Sequence, residues 1–384
     1  MIEYIKLVII FLLRILLKIF YVFPIYENRI VFISSNGRQY SCNPKYIFEY
    51  IYQNYGSKFQ YVWCLNNQEL FPDKYTNVKI VKYLSLKHIW YVLTSKYYFD
   101  NQFFVPFFPK RKKQIFINTW HGGGAYKKLS VNFNFYSKER IRCMTGLLKI
   151  RKKQTSYIIS SCKYFTDYIA IEWGLSKDCF LSTGMPRNDI FFSDSKRKNE
   201  KIMEKFGINK KLKIILYAPT FRGNQKSPEN IDFTLNIELL LKVAKDKFNN
   251  DFILLYRGHT LFVFKNIPEE IINVSKYPDM QELLCAVDIL ITDYSSSIWD
   301  FSFTFKPCFI YAPDLEKYKE EQGFYTPIED WPFPLAKTNE HLADNIINFD
   351  EEKYKQAVKK HHADLGSYET GTACEQFCRA VFSS

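Results

Sequence analysis

The stretch DILITDYSSSIWDF, residues 288–301, decides the class of fold. Its apolar residues 289–291 predict the interior of a buried strand, and Asp293 predicts the carboxyl end of that strand. The serines at 295–297 predict the first turn of a helix. Free backbone N–H groups and the helix dipole attract anions at such a junction, and serine hydroxyls add donors. The stretch therefore predicts an α/β fold with a phosphate-binding turn, although a single junction of this kind is more often only a helix N-cap.

Four further segments carry polar groups at the ends of predicted strands. They are INTWHGGGAYKKLS (117–130) with His121, LSTGMPRNDIFF (181–192) with a turn at Gly184 and Pro186, IILYAPTFRGN (214–224) with Thr220 and Arg222, and FILLYRGHT (252–260) with Arg257 and His259. Each of them can present groups that handle a phosphate or a proton. Their common placement strengthens the phosphate interpretation of residues 288–301, because ligands of open α/β sheets bind outside the carboxyl ends of strands.

Apolar strands alternate with helical stretches along the whole chain. The predicted strands are 29–34, 60–65, 78–83, 97–100, 114–119, 157–160, 213–218, 252–256, 271–274, 289–292 and 307–311. Such alternation predicts parallel sheets covered by helices, and two runs of it predict two doubly wound, Rossmann-type domains that face a central cleft. We place the boundary in the charged segment 194–208, which gives an N-terminal segment 1–25, an acceptor-side domain 26–200 and a donor-binding domain 201–384.

The ordered motifs resemble a known family. WHG followed by a lysine pair, GxPRxD, APTxR, RxH, LITDYSSxxxDF, PxxxYxxDxxxY and GFY are similar to the motifs of the CDP-glycerol glycerophosphotransferases of teichoic acid synthesis, from about Asn36 to the C-terminus. The resemblance implies the two-domain GT-B fold. It also implies transfer of glycerol phosphate from CDP-glycerol, or of a related unit from CDP-ribitol, to a hydroxyl of a membrane-linked glycopolymer acceptor, with release of CMP.

The resemblance also implies roles for individual residues. His121 aligns with the family's proposed general base, and His259 with the histidine that acts on the donor phosphate. We assign donor binding to Thr220, Arg222, Arg257, Asp293, Ser295, Ser296, Ser297 and Glu329, with an orienting role for Asp293. We assign acceptor or structural roles to Gly122, Gly123, Lys127, Lys128, Arg187 and Asp189. Within that set, an ion pair between Arg187 and Asp189 is favoured over catalysis, and the two lysines either contact an acceptor phosphate or begin a solvated helix.

The chain departs from the family pattern in three places. Gly123-Gly124 stands where Thr-Pro is usual, Thr260 replaces a proline, and PFP replaces PGP near Pro332. The histidines and arginines are retained, so the resemblance continues to imply phosphotransfer. The acceptor and the polyol of the donor stay open.

Composition narrows the classes of partner. The chain has 384 residues, a formal net charge of +13 and a hydrophobic content of 47%. This charge indicates anionic partners, and the absence of zinc-finger spacing, RNP-like signatures and long basic tails argues against nucleic acid. Nine cysteines without a CxxC pair favour neither a disulfide framework nor a zinc site and suit reducing cytosol. No acidic cluster predicts a metal, and no tightly bound cofactor is expected.

The N-terminal stretch IKLVIIFLLRILLKIFYVFPI is apolar but contains Lys6, Arg14 and Lys18. At 3.6 residues per turn these cations share one sector of a helix. This pattern favours a peripheral helix whose cations face anionic lipid over a spanning helix or a helix docked on the protein's own core. The resemblance implies that this membrane is bacterial and that the protein lies on its cytoplasmic face.

Two other functions remain open from the residues. One is a GT-B glycosyltransferase that uses a nucleotide sugar. The other is a non-catalytic scaffold whose basic surface holds anionic polymer or lipid. The oligomeric state is not predicted.

Overall fold

The computed structural model describes residues 2–128, 137–193, 196–220, 223–224, 227–228, 234–258, 268 and 270–383. Within these ranges the chain forms two compact units. Unit 1 consists of Met1–His121, Leu129–Asp189 and Tyr368–Ser384, and unit 2 of Gly122–Lys128 and Ile190–Ser367. Each unit is built on its own parallel sheet.

Unit 1 contains a seven-stranded sheet of order β3-β2-β1-β4-β5-β6-β7. Its strands are β1 Tyr26–Ile33, β2 Gln60–Cys64, β3 Val78–Val81, β4 Ser95–Asp100, β5 Ile115–Asn118, β6 Tyr157–Ile159 and β7 Phe180–Leu181. Its helices are α1 Ile2–Leu16, α2 Cys42–Tyr55, α3 Leu86–Thr94, α4 Lys138–Gln154, α5 Lys163–Trp173 and the C-terminal helix α13 Ala373–Phe382. The apolar strand interiors are fully buried, as expected for a parallel sheet with helices on its faces.

Unit 2 contains a six-stranded parallel sheet of order β12-β11-β8-β13-β14-β15 and a short antiparallel pair, β9 with β10. Its strands are β8 Lys213–Ala218, β9 Gly223–Asn224, β10 Ser227–Pro228, β11 Phe252–Tyr256, β12 Ile272–Asn273, β13 Ile289–Thr292, β14 Cys308–Tyr311 and β15 Leu335–Ala336. Its helices are α6 Lys196–Lys205, α7 Ile237–Phe248, α8 Met280–Ala286, α9 Ser297–Ser302, α10 Leu315–Glu321, α11 Asn339–Ile347 and α12 Glu351–Asp364.

The predicted α/β class with parallel sheets is confirmed. Every predicted strand is present, whereas β7, β9, β10 and β15, each only two residues long, were not predicted. The compact units differ from the predicted domain ranges in three places: residues 122–128 and 190–200 belong to unit 2, and residues 368–384 return to unit 1. The return has a packing reason, because Phe377 of α13 is fully buried and contacts Phe99 of β4 with ring centroids 5.3 Å apart.

The N-terminal helix α1 is oriented differently from the prediction. Arg14 does not project outward with the other cations, because its Nη1 donates to the carbonyl oxygens of Pro106 and Phe108 at 2.6 and 2.8 Å. The exposed surface of α1 includes Lys6 but consists mainly of apolar side chains, of which Tyr4, Phe11 and Leu16 are 70%, 62% and 64% exposed. None of the helices in the described ranges has the length and hydropathy needed to cross a bilayer.

Candidate active site

His121 follows strand β5 and is exposed. Its Nδ1 lies 2.7 Å from the carbonyl oxygen of Asn101 and 3.4 Å from Nε2 of Gln102. Because a carbonyl oxygen can only accept, the shorter contact requires that Nδ1 carries the proton. Nε2 is then the basic nitrogen of the neutral ring, which is the tautomer that a general base needs at that position.

The loop that carries Asn101 is itself fixed. The Asn101 side chain accepts from the backbone N–H of Ser35 at 2.8 Å and donates to Oγ of Ser34 at 3.3 Å. Asp100 accepts from the backbone N–H of Gln102 at 2.8 Å. Burial raises the pKa of Asp100 to about 8, which favours the neutral carboxyl at pH 7.

Backbone strain marks the same edge of the sheet. Trp120 has a φ of +52°, a left-handed conformation that costs a bulky residue roughly 1–2 kcal/mol. Ser35, Asn36 and Cys42 also have positive φ values, of 50°, 56° and 59°. Strain of this kind persists only where the surroundings impose it, and it is concentrated at functional sites.

Asn43 holds this strained edge together. Its Nδ2 donates to the carbonyl oxygens of Thr119 and Trp120 at 2.7 and 3.1 Å, and its Oδ1 accepts from the backbone N–H of Arg187 at 3.1 Å. The side chain is fully buried in the first turn of α2. Asn43 therefore connects the WHG and GxPRxD segments, a role that sequence reasoning missed.

Arg187 and Asp189 make contacts that differ from the predicted ion pair. Nη1 of Arg187 lies 3.3 Å from Sγ of Cys42. The two carboxylate oxygens of Asp189 accept from the backbone N–H groups of Ala373 and Cys374, both at 2.8 Å. Burial raises the pKa of Asp189 in spite of these bonds. Asp189 thus ties the GxPRxD turn to the start of α13.

The segment directly after His121 is built into unit 2. A Cβ on Gly123 would lie 2.0 Å from Cδ1 of Trp299, a buried residue of α9, so only glycine fits this position. Lys127 forms an antiparallel bridge with Phe324, and the backbone N–H of Lys128 donates to the carbonyl oxygen of Gly323 at 3.1 Å. The lysine pair therefore lies beside the GFY motif and does not begin a helix at Lys127.

Tyr126 anchors this segment through its side chain. Its hydroxyl lies 3.0 Å from Nε2 of His361, and its ring contacts Trp331 at a centroid distance of 4.5 Å. The next residue of α12, His362, has its Nε2 2.7 Å from Oγ of Ser302. Burial lowers the pKa of both histidines to about 4, so both rings are neutral at physiological pH.

The carboxylate of Asp293, at the end of β13, bonds to Thr220, which follows β8. Its carboxylate accepts from the backbone N–H of Thr220 at 2.8 and 2.9 Å, and Oδ1 also accepts from the backbone N–H of Tyr294 at 2.6 Å. The hydroxyl of Thr220 lies 2.5 Å from the same Oδ1. The hydroxyl proton of Thr220 is thus donated to Asp293, and donor binding by Thr220 stays a prediction.

The serines follow β13 as predicted, but the helix begins only at Ser297. Ser296 occupies the N-cap position without a side-chain cap bond. Oγ of Ser297 donates to Oγ of Ser295 at 2.9 Å, and the backbone N–H of Ser297 donates to the same oxygen at 3.3 Å. The three residues thus form a compact polar turn at the carboxyl end of β13.

Of the other residues predicted to bind the donor, two contact neighbouring protein groups and two lie outside the described residues. Nη1 of Arg257 donates to the carbonyl oxygen of Tyr277 at 2.6 Å, and burial lowers the pKa of Arg257 to about 10. Glu329 pairs with Lys319 at 2.5 Å, which holds its pKa below the usual range. His259 and Arg222 are outside the described residues. In the described part of the chain, no group of three or more potential ligands could hold a metal ion.

The family model described as CDP-Glycerol:Poly(glycerophosphate) glycerophosphotransferase matches residues 15–383. The chain belongs to this family. Among curated relatives in this family, a teichoic acid poly(glycerol phosphate) polymerase of Bacillus spizizenii is 36% identical over 89% of this chain and 88% of its own length. A teichoic acid glycerol-phosphate transferase of Staphylococcus aureus is 28% identical over 93% of each chain. The chain spans about half, 49%, of a similar polymerase of Bacillus subtilis.

Solved structures agree with the family assignment. The wall teichoic acid polymerase TagF, as a histidine-to-asparagine variant soaked with CDPG, superposes with a TM-score of 0.79 at 25% identity over 94% of this chain and 89% of that chain. A cyanobacterial protein from Anabaena, solved in complex with UDP and glucose, has a TM-score of 0.51 at 10% identity and shows a shared fold alone.

Proposed function

We propose that this protein transfers glycerol phosphate from CDP-glycerol to a hydroxyl of a membrane-linked glycopolymer acceptor and releases CMP, in the synthesis of teichoic acid or a related capsular polymer. Membership of the glycerophosphotransferase family supports the reaction class. The hydrogen bond from His121 Nδ1 to the carbonyl oxygen of Asn101 carries the proposal, because it gives the family's WHG histidine the tautomer of a base.

In this reaction the acceptor hydroxyl oxygen attacks the phosphorus of the glycerol phosphate unit in line with the leaving group. A new O–P bond forms, the bond from that phosphorus to the bridging oxygen breaks, and CMP carries away the electron pair. Nε2 of His121 takes the proton of the attacking hydroxyl. A neutral imidazole can do so near pH 7 without a large energetic cost.

The donor would be held by unit 2. We assign its diphosphate to the turn of Ser295, Ser296 and Ser297 and to Arg257, together with His259 and Arg222. The clamp from Asp293 to Thr220 supports this assignment indirectly, because it fixes the end of β13 against the end of β8. Asp293 thereby orients the turn without presenting its own negative charge to the diphosphate.

Lys127 and Lys128 are proposed to contact the acceptor. The backbone pairing of residues 127 and 128 with residues 323 and 324 fixes the lysine main chain while the two side chains stay partly or fully accessible. The chain also passes directly from His121 into this segment. We therefore infer that the proposed base and the proposed acceptor contacts serve one reaction.

We further propose that α1 attaches the protein peripherally to the cytoplasmic membrane face. The support is an apolar outward surface on a helix whose Arg14 is turned inward. A helix face with several exposed apolar side chains is suited to insert at the level of the lipid headgroups. This attachment would bring the enzyme to a lipid-linked acceptor.

Product mass spectrometry tests the proposal. The purified full chain is incubated with a lipid-linked disaccharide acceptor and, in separate reactions, CDP-glycerol, CDP-ribitol or a UDP-sugar. The expected product gains one or more glycerol phosphate units only with CDP-glycerol. Transfer of ribitol phosphate would replace the polyol but keep the reaction class, and transfer of a sugar from UDP would contradict the proposal.

A further inference from the structure

A cavity with both apolar and polar lining residues lies in unit 1, and His121 is not among these residues. It has a volume of about 470 Å³ and is lined in part by Arg29, Gln60, Tyr61 and Lys79. This volume lies within the range of about 300–1,000 Å³ that is usual for small-molecule sites. The cavity thus has room for a small ligand.

The strand register separates this cavity from the proposed catalytic edge. Gln60 begins β2 and pairs with Arg29 of β1, whereas Ile33 at the carboxyl end of β1 pairs with Asp100, which in turn pairs with Asn118 just before His121. Arg29 and Ile33 are four positions apart, or about 13 Å along the strand at roughly 3.3 Å per residue. The cavity therefore opens near the amino ends of the strands, at the opposite edge from the base.

Arg29 is the unusual group in the cavity wall. It is only 6% exposed, and its Nε and Nη1 donate to neutral acceptors, Oε1 of Gln60 at 3.1 Å and Oγ1 of Thr94 at 3.3 Å. Within the described ranges no carboxylate forms an ion pair with it. Burial lowers the pKa of Arg29, and the neighbouring Tyr91 and Tyr26 oppose this shift.

Three aromatic rings lie close to the guanidinium group of Arg29. The guanidinium carbon lies 3.7 Å from the ring centroid of Tyr26 and 5.0 and 5.1 Å from those of Trp90 and Tyr91. The rings and the two neutral acceptors carry no formal charge, so a bound anion would give the guanidinium an ion-pair partner.

A second cation lies on the same cavity wall. Lys79 of β3 is exposed and, within the described ranges, its ammonium group has no hydrogen bond or ion pair. Tyr61, Tyr91, Ser57 and Asn77 also line the cavity. Two cations beside aromatic and neutral polar groups suit a phosphate ester that carries a small polyol, because guanidinium and ammonium groups both bind phosphate oxygens.

We propose that this cavity is a second, non-catalytic site for a polyol phosphate, in which Nη2 of Arg29 and Nζ of Lys79 bind the phosphate group. The phosphate ester is either a soluble or polymer-borne glycerol phosphate or the headgroup of an anionic lipid. The site does not depend on the proposed transfer reaction. The proposed site requires only that the guanidinium group of Arg29 can bind an anion.

Calorimetric titration of the full chain with sn-glycerol 3-phosphate tests this site, with excess CMP present to occupy the nucleotide site. A parallel arm uses sedimentation with vesicles of phosphatidylglycerol or of phosphatidylcholine. Lys79→Ala is expected to weaken binding of the phosphate ester about threefold to tenfold, as for loss of one charge-assisted contact. Arg29→Gln is expected to abolish it, and Lys113→Ala, which removes an exposed lysine outside the cavity lining, is expected to leave it unchanged.

The two arms identify the source of the phosphate. Saturable binding of sn-glycerol 3-phosphate that is lost in the Arg29 and Lys79 variants supports a soluble or polymer-borne ligand. Binding only to phosphatidylglycerol vesicles, with the same loss in both variants, supports a lipid headgroup. Absence of binding in both arms, or binding that both variants retain in full, overturns the proposal. Circular dichroism melting checks folding, and Lys79→Ala keeps the test valid if Arg29→Gln unfolds, because Lys79 is exposed.

Discussion

Nδ1 of His121 lies 2.7 Å from the carbonyl oxygen of Asn101, 20 positions earlier in the chain. The two residues follow neighbouring strands, β5 and β4, whose carboxyl ends meet at the same edge of the sheet. This contact fixes His121 in the tautomer that carries its proton on Nδ1. It also shows why β4 matters to the site although no polar residue after it was singled out from the sequence.

Asn43→Ala should destabilise the protein by about 2–4 kcal/mol, because it leaves two carbonyl oxygens and one N–H group without their buried partner. The free energy of unfolding from urea titration measures this loss. Asn54→Ala is the matched control in the same helix, since its exposed side chain bonds only to the Tyr50 carbonyl oxygen. An equal effect of both substitutions would contradict the central role of Asn43.

Gly123→Ala should destabilise unit 2 by about 1–3 kcal/mol, the usual cost of forcing an extra methyl group into a packed interior. The added Cβ would meet the rigid indole of Trp299 at 2.0 Å. Gly146→Ala provides the control, because its Cβ would meet only the flexible end of Leu7 at 3.0 Å, within a helix that favours alanine. Thermal unfolding measures both, and a Gly123→Ala protein as stable as wild type would refute the packing argument.

Acid should loosen the anchor of residues 122–128. Burial lowers the pKa of His361 and of His362 from 6.5 to about 4, so the folded state favours the neutral rings. The stability they contribute is present above pH 6.5 and is lost as the pH falls toward 4, by on the order of 2 kcal/mol for each ring.

The pH dependence of the free energy of unfolding between pH 7 and 4 measures this loss. The double variant His361→Phe and His362→Phe should show a shallower dependence over that range. A matched control is His341→Ala, which removes an exposed histidine of α11 and should leave the slope unchanged. An unaltered slope in the double variant would show that the buried rings do not cause the acid sensitivity.

Phe11→Glu with Ile15→Glu should weaken binding to anionic vesicles at least tenfold, because both side chains belong to the outward apolar surface of α1 and are 62% and 50% exposed. Flotation with vesicles of phosphatidylglycerol measures it, at low and at high salt. Ile171→Glu, on an equally accessible isoleucine of α5 that is 78% exposed, should have no effect. If vesicle binding is lost at high salt but is unchanged by the α1 substitutions, the basic surface and not α1 attaches the protein.

The sequence predicted those features that depend on local pattern. Continuous apolar runs identified the strands, and polar residues directly after them identified the edges where His121 and Asp293 lie. Features that depend on contacts between residues far apart in the chain could not be predicted. Asn43 resembles any residue in the first turn of a helix, and its importance depends on carbonyl groups 76 and 77 positions away.

The direction of Arg14 and the course of α13 were missed for a related reason. A helical wheel groups cations by angle, but it does not show that the carbonyl oxygens of Pro106 and Phe108 accept from one of them. An amphipathic C-terminal helix likewise does not specify which sheet covers its apolar face. The structure shows that Asp189 accepts hydrogen bonds from the first two N–H groups of α13 and so holds the start of this helix. The sequence does not reveal this contact.

The rate of CMP release from CDP-glycerol, in the presence of a lipid-linked acceptor, tests the central claim most directly. We expect His121→Ala to reduce kcat by at least a hundredfold, as for loss of a general base, while His341→Ala, a substitution of an exposed histidine in α11, keeps the wild-type rate. Wild-type turnover in the His121→Ala protein would contradict the assignment of His121 as the base of the transfer.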